Sequence, residues 1–150
     1  MAIATGSVFS HTKSDVWDAG SATPKGTVLA KGGIYGVTLT DTVGVTKADQ
    51  VIYGNVKVTG VTQPGVSNDK ATAVGTYAVG VATNGAWEFD GVVSTGTTPT
   101  PTTTPQSTVV YITAGGALTL SSSGNTRLGI VRYPATYNKV AGKLPVEVNA

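Results

Sequence analysis

Short runs of β-forming residues, separated by Gly, Asn, Asp and Pro, recur along the chain from Thr27 onward. Gly, Thr and Val together fill 67 of the 150 positions. Val and Thr favour strands because their branched side chains fit a pleated sheet, whereas Gly is suited to the turns between strands. This pattern of short strands and turns is typical of an all-β sandwich or small β-barrel, and it excludes a helical bundle.

The pattern divides the chain into an N-terminal arm, residues 1–26, and one β-barrel-like domain, residues 27–150. The arm is polar and extended, and its strong apolar residues are Val8, Phe9, Val16 and Trp17. Such an arm needs a surface on which to lie, so these four residues are the predicted contacts with a neighbouring protein. In the domain we predict strands at 27–30, 33–40, 50–61, 71–83, 86–94, 108–113, 117–120, 126–133 and 144–148.

Asn84 and Gly85 give the clearest local signal. Both residue types tolerate positive φ, which a type I′ turn requires at its two central positions, so the sequence predicts a β-hairpin here. On the outgoing strand Trp87 and Phe89 point to one side, because side chains alternate along a strand. Asn84, Gly85, Trp87 and Phe89 are therefore the predicted core of a hairpin with one apolar face.

Residues 94–107 form a low-complexity stretch of Thr and Pro. Its three prolines cannot pair in the interior of a sheet and favour extended, solvated chain. The stretch lies between two predicted strands, so we interpret it as a long exposed loop within the domain. It is either a surface loop or an extension that reaches a neighbouring subunit.

The residue types that carry catalysis and metal binding are scarce. The chain has no Cys and one His, which excludes disulfides, thiolate metal sites and sites with several His ligands. Glu88 and Asp90 are about 7 Å apart on a predicted strand, and the polar face of that strand explains them without catalysis. His11, Ser14 and Asp15 lie too close along the chain for a hydrolase triad. We predict no enzyme activity and no cofactor.

Charge is low throughout the sequence. Charged residues make up 12% of the chain and the formal net charge is +2. The ten Lys and Arg are spread along the chain, so no nucleic-acid-binding patch is expected. No apolar run approaches the length of a membrane span, and the first residues lack a signal peptide, which predicts a soluble protein made in the cytoplasm. A surface this poor in charge suits a subunit that packs against other proteins.

Five stretches, in order, resemble the small head decoration proteins of tailed bacteriophages, also called capsid cement proteins. They are GTVLAKGGIYGVTLTD, GVATNGAWEF, VYITAGGALTL, LGIV and PVEV, at residues 26–41, 80–89, 110–120, 128–131 and 145–148. Each is weak alone, and their order is what carries the resemblance. Thr27 stands where the family pattern has a proline, and the 94–107 loop is longer than that pattern suggests.

The resemblance implies a structural protein of a phage virion that forms homotrimers on the outer surface of the head. Its arm would contact the major capsid protein, and it would stabilise the expanded shell without catalytic residues. Two other functions remain open from the sequence. One is a structural protein of the phage tail or tail tube, and the other is a carbohydrate-binding β-module of a surface adhesin.

Overall fold

The computed structural model describes residues 2–42, 47–52, 56–61, 77–90, 104–138 and 142–150. These residues form twelve β-strands and no helix. The strands are β1 (Ala4–Phe9), β2 (Ser14–Asp18), β3 (Val28–Lys31), β4 (Ile34–Thr38), β5 (Lys47–Ile52), β6 (Val56–Val61), β7 (Ala78–Ala82), β8 (Ala86–Phe89), β9 (Val109–Ile112), β10 (Leu118–Thr119), β11 (Thr126–Val131) and β12 (Leu144–Val148). The all-β prediction is confirmed.

The strands lie in two main antiparallel sheets. The larger has the order β1-β8-β12-β11-β9-β10, and the smaller has the order β2-β7-β4-β3. Strands β5 and β6 pair with each other in a separate two-stranded sheet. The described strands form no closed barrel; the edges of the larger sheet are linked by a single hydrogen bond from the Ala2 N–H to the Gly116 carbonyl, at 2.9 Å. The architecture is sandwich-like.

The main core lies between the two sheets. The larger sheet contributes most of its side chains, and Val37 and Ala82 enter it from the smaller sheet. Its largest fully buried members are Phe89, Leu118, Leu128 and Leu144. Burial of a Val, Leu or Phe side chain contributes roughly 1.5 to 3 kcal/mol, so this cluster contributes strongly to stability.

Trp17 belongs to a second, smaller core on the smaller sheet, together with Val79 and Val81. The indole occupies space that a side chain at Gly36 would need, because a Cβ there would lie 2.8 Å from the indole Cζ3 atom. Only glycine leaves room for the ring on β4. Trp17 is 2% exposed.

The N-terminal segment is part of the sandwich, which corrects the prediction of a separate arm at residues 1–26. Strand β1 pairs with β8 in the larger sheet, and β2 pairs with β7 in the smaller one. Each strand is short, and β1 has register irregularities on either side of its Gly6–Ser7 pairs. The segment therefore lacks a regular apolar period, although its main chain is paired.

The predicted hairpin at Asn84-Gly85 is wrong. Strand β7 belongs to the smaller sheet and β8 to the larger, so the two strands do not pair with each other. Residues 83–85 instead form a corner at which the chain passes from one sheet to the other. The β1–β2 connection makes the same passage beside it, because β1 pairs with β8 and β2 pairs with β7.

Most other predicted strands are found within a few residues of their expected positions. The predicted strand at 50–61 is two strands, β5 and β6, which pair as a hairpin. The predicted strands at 108–113 and 117–120 correspond to β9 and β10, which pair with each other across the turn at 114–116. The Pro/Thr loop at 94–107 lies largely outside the described residues, which resume at Thr104.

Candidate interaction surface

The four predicted contact residues do not form one surface. Val8 and Phe9 lie on β1 in the larger sheet, whereas Val16 and Trp17 lie on β2 in the smaller sheet. Trp17 is buried in the chain's own second core, so it is not available as a contact, and Val8 and Val16 are half-buried. Phe9 is 38% exposed, and with Ile34 it is one of two exposed large apolar side chains among the described residues.

Asn84 and Gly85 lie at the corner, and Trp87 and Phe89 follow it on β8, where both are buried as the alternation predicted. Trp87 is 7% exposed and Phe89 is fully buried in the main core. The Trp87 Nε1–H donates to the Asn84 carbonyl oxygen at 3.1 Å. The His11 ring stacks on the indole, with the ring centroids 5.7 Å apart.

The Asn84 side chain connects the two adjacent passages between the sheets, the β1–β2 connection and the β7–β8 corner. Its Oδ1 accepts hydrogen bonds from the Thr12 N–H at 2.8 Å and from the Lys13 N–H at 3.0 Å. Its Nδ2 donates to the Thr12 Oγ1 at 2.8 Å. One amide therefore satisfies two main-chain donors of the β1–β2 connection, where the chain has left both sheets.

Gly85 has the positive φ that the sequence predicted, +89°, whereas Asn84 does not. The corner is therefore not a type I′ turn, which needs positive φ at both residues. A Cβ at Gly85 would lie 3.0 Å from the Phe9 carbonyl oxygen and 3.1 Å from the His11 main chain. Glycine is therefore favoured at position 85 for two reasons. The backbone has a positive φ, and the neighbouring passage leaves little room for a side chain.

A groove of about 270 Å³ opens beside this corner. Phe9, Ser10 and Ala86 line one part of it, and Arg132 and Glu147 line another. The Arg132 guanidinium lies 5.7 Å from the Phe9 ring centroid and pairs with the Glu147 carboxylate, with 3.3 Å between Nη1 and Oε2. We call this the corner groove. Arg132 is paired with Glu147 and lies over Phe9, so the exposed Phe9 ring is the main apolar feature of the groove.

Asn149 closes the other side of the corner. Its Oδ1 accepts from the Tyr35 N–H at 2.8 Å, and its Nδ2 donates to the carbonyl oxygens of Tyr35 and Thr83, each at 2.7 Å. Asn149 has a φ of +61°, a conformation that Asn tolerates better than most residues. Its amide links β4 of the smaller sheet to the end of β12 in the larger one.

A polar cluster lies on the larger sheet around Glu88. The Tyr137 hydroxyl donates to Glu88 Oε2, the Thr5 hydroxyl donates to Oε1 at 3.0 Å, and Lys143 Nζ lies 3.5 Å from Oε1. Burial acts to raise the pKa of the Glu88 carboxyl, but the bonds from Tyr137 and Thr5 and the charge of Lys143 outweigh it and lower that pKa. Burial, reinforced by Glu88, raises the pKa of the Tyr137 hydroxyl.

This cluster is explained as a structural contact. It ties the segments on both sides of residues 139–141 to the outer face of β8. The described residues contain no group of three His, Cys, Asp or Glu side chains placed to hold a metal ion. They also contain no helix of a length and apolarity that would cross a membrane.

Sequence reasoning missed Arg132, Tyr137 and Asn149. Arg132 and Tyr137 follow β11 in a stretch with no recognisable motif, and their partners Phe9 and Glu88 are distant in the chain. Asn149 is the last residue but one of the sequence, where a single polar residue carries no pattern. Its preference for positive φ is the one signal that the sequence offers.

Comparisons with known proteins found no matching family model, no matching curated protein and no matching solved structure.

Proposed function

We propose that this chain is a head decoration protein of a tailed bacteriophage. In this proposal it binds the major capsid protein on the outer surface of the head, as a homotrimer, and stabilises the expanded shell without catalysis. The observation that carries the proposal is the order of the five motifs that resemble this family, together with the fact that all five fall on the framework of the sandwich.

The motifs correspond to strands and their tight connections. The stretch at 26–41 contains β3, β4 and the turn between them, and the stretch at 110–120 contains most of the β9–β10 hairpin. The motifs at 128–131 and 145–148 lie on β11 and β12, which pair through Gly129 and Val148. The resemblance therefore involves residues that lie on strands and on the connections between them.

The corner groove is the surface that we assign to the capsid. Phe9 was one of the predicted contacts, and it is the one that stays exposed. Because Arg132 is paired with Glu147, the groove offers an aromatic surface with little unpaired charge. Attachment through such a groove depends mainly on burial of apolar area, which fits a chain with a net charge of only +2.

Stabilisation of the shell then follows from linkage. A protein that binds the expanded shell but not the free capsid subunits shifts the equilibrium toward the shell. The free energy of this stabilisation grows with the logarithm of the ratio of free protein concentration to its Kd for the shell. A trimer engages three sites at once, so weak individual contacts combine into high avidity. No bond is made or broken in this mechanism.

The test is binding to isolated heads of the source phage that lack the chain. We expect the chain to sediment with expanded heads and not with free capsid subunits. Phe9→Ser should lower occupancy on the heads, and Ile34→Ser, the matched change at the other exposed apolar residue, should leave it unchanged. Failure of the unaltered chain to bind expanded heads would overturn the proposal.

Salt and size add two independent checks. Attachment through apolar area should persist from low salt to roughly 0.5 M, where screening shortens the range of charge interactions to a few Å. Light scattering should give about 45 kDa, three copies of the 15.1 kDa chain. Long tubes would favour the tail-tube alternative, and retention on a glycan array would favour the adhesin alternative.

A further inference from the structure

We propose that Asn84 is a deamidation site in the folded protein, at which the Gly85 main-chain nitrogen attacks the Asn84 side-chain amide. The proposal does not depend on the function proposed above. It rests on the way the corner presents the three parts of this reaction: a nucleophile, a polarised carbonyl and a leaving nitrogen.

The nucleophile is the Gly85 nitrogen. Asn84 is the one Asn of the sequence that is followed by Gly, so no side chain obstructs approach of this nitrogen to the Asn84 Cγ atom. Within the described residues the Gly85 N–H donates no hydrogen bond, whereas its carbonyl oxygen accepts one from the Val148 N–H. The corner is half-exposed, so water has access to it.

The carbonyl is polarised by two main-chain donors. The N–H groups of Thr12 and Lys13 point at Asn84 Oδ1 from 2.8 and 3.0 Å. Attack at Cγ places a negative charge on Oδ1 in the tetrahedral intermediate, and two fixed N–H donors stabilise such an oxyanion. The corner therefore has the arrangement of donors that promotes acyl transfer, built for a structural purpose.

The leaving nitrogen contacts a hydroxyl. Asn84 Nδ2 lies 2.8 Å from Thr12 Oγ1, and a hydroxyl can both accept a hydrogen bond and donate one. Thr12 can thus pass a proton to Nδ2 as it departs. The bond from Gly85 N to Cγ forms and the bond from Cγ to Nδ2 breaks. The Gly85 amide proton replaces the one that Thr12 supplies, so ammonia leaves and a cyclic imide remains.

Water then opens the imide at one of its two carbonyls. Opening at one gives Asp at position 84, whose carboxylate still accepts from the Thr12 and Lys13 N–H groups. Opening at the other gives isoaspartate, which inserts a methylene into the backbone between β7 and β8. Because the Asn84 carbonyl accepts from the Trp87 indole, the second product disturbs the packing of the corner. Either product lowers the net charge by one.

Asn125 is a matched internal control. Its Nδ2 also donates a hydrogen bond, to the Ser121 carbonyl oxygen at 3.0 Å, but it is followed by Thr126. Thr12→Val is the matched variant, since it keeps the shape of the side chain and the main-chain N–H but removes the hydroxyl. Thr12→Val tests the corner while Gly85 is retained, and the unfolded chain shows the effect of Gly85 without the corner.

The experiment is incubation of the folded chain at mildly alkaline pH, followed by peptide mapping with tandem mass spectrometry that distinguishes Asp from isoaspartate. We expect Asn84 to convert faster than Asn125, because Gly follows Asn84 whereas Thr follows Asn125. Thr12→Val should slow the conversion in the folded chain but not in the chain unfolded by denaturant. An Asn84 that stays an amide in the folded chain while the unfolded chain converts would overturn the proposal, as would equal rates in Thr12→Val and the unaltered folded chain.

Discussion

The Asn149 side chain takes the place of a strand beside Tyr35. Strands β4 and β7 pair through Val37 with Ala82 and through Thr38 with Val81, and continuing that register would bring Tyr35 opposite Asn84. The chain turns out of the sheet before that point. The Asn149 amide accepts from the Tyr35 N–H and donates to the Tyr35 carbonyl, so a side chain makes the two bonds that the departing strand leaves open.

Loss of this amide should therefore loosen the corner. Asn149→Gly keeps the positive φ but removes all three side-chain bonds, and we expect it to lower the free energy of unfolding by about 1 to 2 kcal/mol. Asn149→Ala should cost roughly 1 kcal/mol more, because alanine is strained at positive φ. Chemical denaturation of both variants measures the difference. Equal stability of Asn149→Gly and the unaltered chain would show that the amide is dispensable.

Gly85 and Gly124 allow a comparison of crowding at similar backbone conformations. Their φ values are +89° and +71°, but a Cβ at Gly85 meets the main chain of Phe9 and His11, whereas one at Gly124 meets nothing within 4 Å. Gly85→Ala should destabilise the protein by about 2 kcal/mol or more, and Gly124→Ala by about 1 kcal/mol from backbone strain alone. Thermal melts of the two variants provide the test, and a larger loss at Gly124 would contradict the packing of the corner.

The Glu88 cluster predicts a pH dependence of stability with two limbs. The pKa of Glu88 is lowered by folding, so its contribution is present above the ordinary value of 4.5 and is lost as the pH falls through the folded value. The pKa of Tyr137 is raised by folding, so its contribution is present below the ordinary value of 10 and is lost as the pH rises further.

Tyr137→Phe should remove the hydrogen bond between Tyr137 and Glu88, which contributes to both pKa shifts. We expect a loss of about 1 to 2 kcal/mol at neutral pH, with a smaller difference from the unaltered chain at either extreme. Tyr133→Phe is the matched control, because that ring lies 5.5 Å from the Tyr137 ring but is not the one bonded to Glu88. Urea denaturation at a series of pH values gives the profile. A Tyr137→Phe difference that is constant across pH would argue against the cluster.

Removal of residues 1–18 should unfold the domain. The truncation deletes β1 and β2, and with Trp17 it deletes the largest member of the second core. We expect a chain without cooperative thermal unfolding, and circular dichroism measures it. A truncated chain that melts cooperatively near the temperature of the full one would restore the idea of a separate arm.

The framework of the sandwich could be predicted because its signals are local. Alternation along β8 predicted that Trp87 and Phe89 are buried, and Gly turns marked the ends of β9 and β10. The pairing of strands could not be predicted in the same way. Asn84-Gly85 has the local chemistry of a hairpin turn, but β7 pairs with β2 and β4, and β8 pairs with β1 and β12, so these residues form a corner between sheets.

The N-terminal strands were missed for a related reason. Strand β1 has exposed residues at three successive positions, so it shows no alternation of apolar and polar residues. Its partner β8 and the partner of β2, β7, are both distant in the chain. The contacts at Asn149 and Arg132 depend on the same long-range arrangement. Patterns within the chain predict which residues form strands, whereas packing decides which strands are neighbours.

The most direct test of the proposed function is electron cryomicroscopy of expanded heads of the source phage, purified without the chain and then incubated with it. The proposal predicts added density on the outer surface of the head, resolved as trimers, with the corner groove and Phe9 facing the capsid. Heads whose outer surface gains no density after incubation with excess folded chain would contradict it.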